Sequence, residues 1–167
     1  TVDNNIYALD SNVIHRSGYS TETKNGELVI DSGTPNVSGL VLNRIPSSST
    51  FASATYSPGL TNSYYNLVLP SGEMLVTSVG NTNIYKIPVG GGTSSVYSTG
   101  FSHPYQMVLL PSGEVLVADA SDSAIHLIPV GGGTSSFFAW NFPFNVQGMA
   151  RMSNGDILVA DRNFGNG

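Results

Sequence analysis

The chain has 167 residues, 40% of them hydrophobic and only 10% charged, with a formal net charge of −5. Its few Lys and Arg are scattered along an acidic chain, which excludes the clustered positive charge that phosphate recognition needs, so nucleic acid is not an expected partner. The lack of cysteine excludes disulfides and thiolate metal sites, and no apolar run reaches the roughly 18 residues of a membrane-spanning helix.

In chain order, Asn4-Asn5-Ile6-Tyr7-Ala8-Leu9 and then Val13-Ile14-His15-Arg16 read as two short strands. Asn25-Gly26-Glu27-Leu28-Val29-Ile30-Asp31 is a glycine turn followed by another. From there the text becomes regular. Residues 64–69 form an expected strand, Ser71-Gly72 a tight turn, and residues 74–78, 83–89 and 94–99 three further strands. Gly90-Gly91-Gly92 joins the third strand to the fourth as a hairpin loop, and no lysine or helix start follows it to make a phosphate cradle.

Residues 65–95 are then rewritten 41 residues later: Pro70-Ser71-Gly72-Glu73 returns as Pro111-Ser112-Gly113-Glu114, and Ile87-Pro88-Val89-Gly90-Gly91-Gly92 as Ile128-Pro129-Val130-Gly131-Gly132-Gly133. Ser153-Asn154-Gly155-Asp156 and Ile157-Leu158-Val159-Ala160-Asp161 start a further copy, and Gly59-Leu60, Gly100-Phe101 and Asn141-Phe142 keep the same spacing. No window carries a helical apolar pattern. Four-stranded antiparallel units of about 40 residues are the blades of a β-propeller. The expected organisation is three whole blades (21–62, 63–103, 104–143) plus one blade split between the termini, with 1–20 giving its third and fourth strands and 144–167 its first and second. That phase leaves complementary half-blades. They pair within one chain, between two copies, or within a longer ring of which this chain is a fragment.

Candidate residues follow from the blade plan. The first strands of all blades converge on the central channel, so a binding site at its mouth would draw on Tyr64, Tyr65, Asn66, Tyr105, Gln106, Gln147 and Arg151, with Tyr19 and Glu22 in the first blade. Asp119 and Asp161 end equivalent second strands and are expected to be structural, holding the following turn. His15, His103 and His126 fall at three different blade positions and are expected to be surface or loop histidines rather than a shared metal centre. Tyr56, Tyr97, Phe138 and Trp140 are expected to pack between blades. Asn36-Val37-Ser38 is a glycosylation sequon.

The run His103-Pro104-Tyr105-Gln106-Met107-Val108-Leu109-Leu110-Pro111-Ser112-Gly113-Glu114-Val115-Leu116-Val117-Ala118-Asp119 resembles the NHL repeat, and it is similar to repeats of the gluconolactonases and streptogramin lyases. Ala124-Ile125 and Asn83-Ile84 stand where NHL repeats often carry arginine, so the likeness is to NHL-like repeats. The resemblance implies a propeller fold and, from its NHL side, a binding or scaffold module. Its gluconolactonase side implies a divalent cation at the channel mouth, for which one first-strand carboxylate, Glu22, is a poor ligand set, so no metal or other cofactor is expected. A neutral surface rich in Ser, Thr, Asn and Gly, on a chain opening with Thr1, fits an extracellular or cell-surface protein, either processed or trimmed. The leading expectation is therefore a non-catalytic binding or structural module whose partner is itself, another extracellular protein or a glycan. A lectin-like propeller is the alternative, and a lactonase- or lyase-like enzyme the second.

Overall fold

The computed structural model describes residues 17–22, 28–32, 42–45, 57, 60, 63–78 and 80–162, with side chains for 57, 60, 63–78 and 80–160. The expected strands at residues 4–9 and 13–16, and Asn36, lie outside the described residues.

Every regular element among the described residues is a strand. In chain order they are β1 (Ser17–Glu22), β2 (Leu28–Ser32), β3 (Leu42–Ile45), β4 (Ser63–Val68), β5 (Met74–Ser78), β6 (Asn83–Ile87), β7 (Ser95–Thr99), β8 (Pro104–Leu109), β9 (Val115–Asp119), β10 (Ala124–Ile128), β11 (Gly133–Thr134), β12 (Ser136–Ala139), β13 (Asn145–Arg151) and β14 (Ile157–Arg162). They form four antiparallel meanders: β1-β2-β3, β4 to β7, β8-β9-β10-β12, and β13-β14. The all-β fold of small antiparallel sheets is the one the sequence led us to expect. β1 crosses residue 20, where the reading of the sequence had placed a blade junction.

The hairpin between first and second strands has one form in three sheets. Gly72, Gly113 and Gly155 donate their N–H groups to the carbonyls of Leu69, Leu110 and Met152 at 2.8, 2.9 and 3.0 Å. All three have φ above +90°, a region closed to residues with a Cβ except under strain. The turn is edged by Ser71 and Glu73, Ser112 and Glu114, or Asn154 and Asp156, whose side chains bond each other.

The core lies between the sheets, and strand alternation decides which interface each residue serves. β9 is buried along its whole length because it has a sheet on both sides. Val115 and Val117 pack with Leu75, Ile84 and Met107, while Leu116 and Ala118 turn the other way onto Ile125, Val146 and Met149. Each buried Val, Leu or Ile contributes about 1.5–3 kcal/mol, so these interfaces, rather than the thin ladders, hold the sheets together.

The glycine run does more than the expected hairpin loop. Gly132 donates to the Pro129 carbonyl to close the turn, and the chain then leaves its own sheet. Gly133 and Thr134 pair in parallel with Ser98 and Thr99 of the preceding sheet. Ser135 continues this strap, its N–H donating to the Thr99 carbonyl at 2.9 Å and its hydroxyl to the Gly100 carbonyl at 3.1 Å. One sheet earlier, the Ser57 hydroxyl bonds the Gly92 carbonyl at 2.8 Å. The loop is a strap from sheet to sheet.

Candidate functional site

The first strands β1, β4, β8 and β13 stand side by side and form a common inner wall. Each breaks register near its start: between Ser17 and Ser20, Ser63 and Asn66, Pro104 and Met107, and Val146 and Gly148. Such bulges re-aim side chains and recur beside active sites. The residues inside them include Tyr19, Tyr64 and Tyr65, Tyr105 and Gln106, and Gln147. The sequence pointed to these residues by strand position; the aligned bulges that present them were not legible in it.

At this end of the wall the rings form one group. Tyr64 meets Tyr65 at 5.4 Å and Tyr105 at 5.1 Å between centroids, and Tyr65 lies 6.1 Å from Tyr105. Tyr64 is the open member, 40% exposed, whereas Tyr65 is buried. Thr77 fills the bulge behind it by accepting the Tyr65 N–H at 3.0 Å. Gln106 bridges two sheets, its Oε1 accepting the Met149 N–H at 2.8 Å. Asn66 sits beyond the bulge, paired with Val76. Arg151 is not part of the group: it is exposed at the far end of β13, about 13 Å from Gln147 along a strand rising about 3.3 Å per residue.

His103 joins the tyrosines, its ring 5.1 Å from Tyr105. It lies in the loop before β8, as expected. Its backbone is pinned on both sides: Asp119 Oδ1 accepts its N–H at 2.9 Å, and its carbonyl accepts the Ala120 N–H at 3.1 Å. Its Nε2 is buried and has no hydrogen-bond partner among the described residues, and the same is true of Ser98 Oγ. Buried polar atoms are nearly always paired, so these two stand out.

Asp119 does the positioning. Fully buried, its carboxylate takes four backbone N–H groups, from Ser102 at 2.7 Å, His103 at 2.9 Å, Ser121 at 3.2 Å and Asp122 at 3.3 Å. It ties the loop entering β8 to the turn leaving β9. The backbone of Asp161 pairs with Val146, and its side chain lies outside the described residues.

His126 corrects an expectation, since it is 2% exposed within β10 rather than on the surface or in a loop. Phe101 and Phe137 flank it at 5.4 and 4.6 Å, and its nitrogens meet Ser135 Oγ at 3.3 Å and Asp122 Oδ2 at 3.1 Å. The Ser-His-Asp sequence of contacts is a clamp and not a nucleophilic triad, because the serine hydroxyl is given to the Gly100 carbonyl. Asp119, Asp122 and His126 bring ligand-type atoms within 4.8 Å of one another, yet the oxygens of Asp119 are already taken by amides. Phe137, Phe138 and Trp140 are 50–61% exposed, so the outer aromatics of this sheet do not pack between blades as expected; Tyr97, one sheet earlier, does.

A divalent cation at the mouth would draw its oxygen ligands from the inner strands. β4, β8 and β13 carry no carboxylate, and the amide oxygen of Gln106 is engaged. A hard divalent cation needs about six or more oxygen ligands, which the described side chains of the mouth do not supply.

No protein-family model matches the sequence, and a search of curated proteins returns no match. Solved structures do match. A proposed gluconolactonase superposes with a TM-score of 0.67 at 18% identity, covering 88% of this chain and 58% of its own. Virginiamycin B lyase from Staphylococcus aureus gives 0.68 at 17%, covering 85% and 47%. The calcium-binding protein regucalcin from Agrobacterium tumefaciens gives 0.64 at 17%, covering 85% and 52%. The chain thus spans about half the length of the structures it matches. These likenesses establish a β-propeller fold. They also correct the expectation that the chain is not an enzyme, because the structures sharing its fold are described as a lactonase and lyases.

Proposed function

From the premise that this chain has the β-propeller fold, we propose that it is part of a hydrolase or lyase acting at the mouth of the inner channel, with His103 as the proton-transfer group. The observation that carries this reading is the buried, unpartnered Nε2 of His103 among the tyrosines of two bulged inner strands. The enzymes of like fold support the class.

The chemistry is that of one positioned base. A cyclic ester lodged against Tyr64, the exposed ring, would reach Nε2 by moving Tyr105, the ring that contacts His103. In hydrolysis Nε2 accepts a proton from water as the water oxygen bonds to the carbonyl carbon. The ring C–O bond then breaks, and the proton returns to the departing oxygen, giving a hydroxy acid. In elimination the same nitrogen takes a proton from carbon and the ester oxygen leaves as a carboxylate. Asp119 keeps the imidazole in place by holding its backbone. No step is routed through a cation.

The test is turnover of glucono-δ-lactone, γ-butyrolactone and a cyclic depsipeptide by the intact protein, read by liquid chromatography with mass spectrometry. Hydrolysis adds the mass of one water, and elimination gives a ring-opened isomer of unchanged mass at a new retention time. His103→Gln should lower kcat about 10²- to 10⁴-fold, the usual worth of a general base. Turnover unchanged by that substitution, or no turnover of any substrate, would refute the proposal.

A further inference from the structure

Away from the channel, the outer rim of the β8-β9-β10-β12 sheet carries a cleft of about 440 Å³ lined by Asp122, Ser123, Phe137, Trp140, Asn141 and Phe142. We infer that this cleft is a binding site for a pyranose sugar, separate from the channel mouth and independent of the reaction proposed there.

The internal repeat separates what the fold needs from what this sheet has added. Forty-one residues earlier the same positions hold Asn81, Thr82, Val96, Thr99, Gly100 and Phe101. Only the phenylalanine is kept. The sheet has gained a carboxylate, two exposed aromatic rings and an amide, all around one cleft.

Two of these residues are held in strained backbone. Ser123 at φ +46° and Asn141 at φ +64° are the non-glycine residues with positive φ among those described, and both line the cleft. That conformation costs an L-residue roughly 1–2 kcal/mol, least for Asn. The Gly100 counterpart would avoid it. Strain of this kind gathers at functional sites, and here it places an amide where the earlier sheet has no side chain.

In the earlier sheet this position is covered by the strap. A Cβ on Gly100 would stand 3.0 Å from Ser135 Oγ and 3.7 Å from Thr134 Cγ2, so the strap packs closely over this glycine. Asn141 carries a whole side chain there, with Trp140 in place of Thr99 beside it. A second strap of the same build would meet the Asn141 side chain.

The lining specifies the ligand. Trp140 and Phe137, 61% and 58% exposed with ring centroids 6.4 Å apart, offer apolar faces for the C–H side of a sugar ring. Asp122 is held by His126 through Oδ2, leaving Oδ1 for hydroxyl donors, while Asn141 and Ser123 both donate and accept. An amide and a hydroxyl beside the carboxylate and the aromatic rings suit a polyol better than a quaternary cation, for which Asn141 and Ser123 would add nothing.

The test is titration of the intact protein with methyl β-D-glucopyranoside, methyl β-D-galactopyranoside, methyl α-D-mannopyranoside and choline. Trp140, the one tryptophan of the chain, serves as the fluorescent reporter, and Trp140→Phe identifies its signal. A saturable change with at least one glycoside is expected, with half-saturation on the order of 1 mM, or about −4 kcal/mol. Asp122→Asn and Asn141→Gly restore residues of the earlier sheet, so the fold tolerates them, and each should weaken binding at least tenfold. No saturable response to any glycoside, a response to choline alone, full affinity in both variants, or a Trp140 shielded from acrylamide by a covering segment would each overturn the inference.

Discussion

Gly132→Ala should damage the protein far more than Gly131→Ala, although the two glycines are adjacent and both have positive φ, +96° and +87°. Around Gly131 an added methyl meets nothing within 4 Å, so that variant carries backbone strain of about 1–2 kcal/mol and little else. At Gly132 the methyl would overlap the Tyr97 carbonyl oxygen and stand 3.0 and 3.1 Å from two ring carbons of Tyr97. Backbone cannot yield as a flexible side chain does, so the strap must lift. Lifting it forfeits the Ser135 N–H bond to Thr99 and the Ser135 hydroxyl bond to Gly100, each worth about 0.5–1.5 kcal/mol. The sum predicts a loss of about 2–5 kcal/mol for Gly132→Ala. Urea denaturation of both variants, followed by tyrosine and tryptophan signals, measures the difference at constant m. Equal midpoints would refute the view that the glycine run is a strap between sheets and return it to a plain hairpin loop.

Asp119→Asn should cost on the order of 3 kcal/mol, since an amide nitrogen would face N–H groups that the carboxylate now accepts, and hydrogen bonds to charged groups are worth about 1.5–3 kcal/mol each. The same variant should lower turnover by loosening His103, and unchanged turnover in a folded Asp119→Asn protein would contradict the positioning role. At the hairpin between β4 and β5, the hydrogen bond from Lys86, 2.8 Å away, holds the Glu73 carboxyl below its usual range, helped by Ser71 and by the Lys86 charge. A carboxyl whose folded pKa is lowered adds stability above its unfolded pKa and loses it as pH falls through the folded value. Lys86→Met should therefore raise the Glu73 titration midpoint in carbonyl-detected NMR and flatten the acid limb of the stability curve. An unmoved midpoint would show that the pair does not form in solution.

Much of the strand plan was legible because local chemistry sets it. Met74–Ser78 follows directly from a glycine turn and an apolar run, and the structure keeps those bounds. The third strand stops at Ile87 rather than residue 89 because Pro88 cannot donate to the ladder and its carbonyl instead closes the turn with the Gly91 N–H at 3.0 Å. The strap was not legible, since Gly132 and Tyr97 meet across two sheets at a distance no local pattern encodes. His103 and His126 were undervalued for a related reason. A lone histidine carries no signal by itself, and burial is decided by partners such as Asp119, Asp122 and Phe101 that arrive from other elements. A usable signal was present in the repeat: where Asn81, Tyr85, Thr99 and Gly100 become Asp122, His126, Trp140 and Asn141, the sheet has departed from what stacking requires.

The most direct measurement is the steady-state turnover of a lactone panel by the intact protein and by His103→Gln, each checked for unchanged thermal midpoint. Loss of at least 100-fold in kcat, with KM little altered, is the result expected of a general base at the channel mouth. A His103→Gln protein that folds normally and turns over at the wild-type rate would contradict the central claim and move the chemistry elsewhere in the propeller.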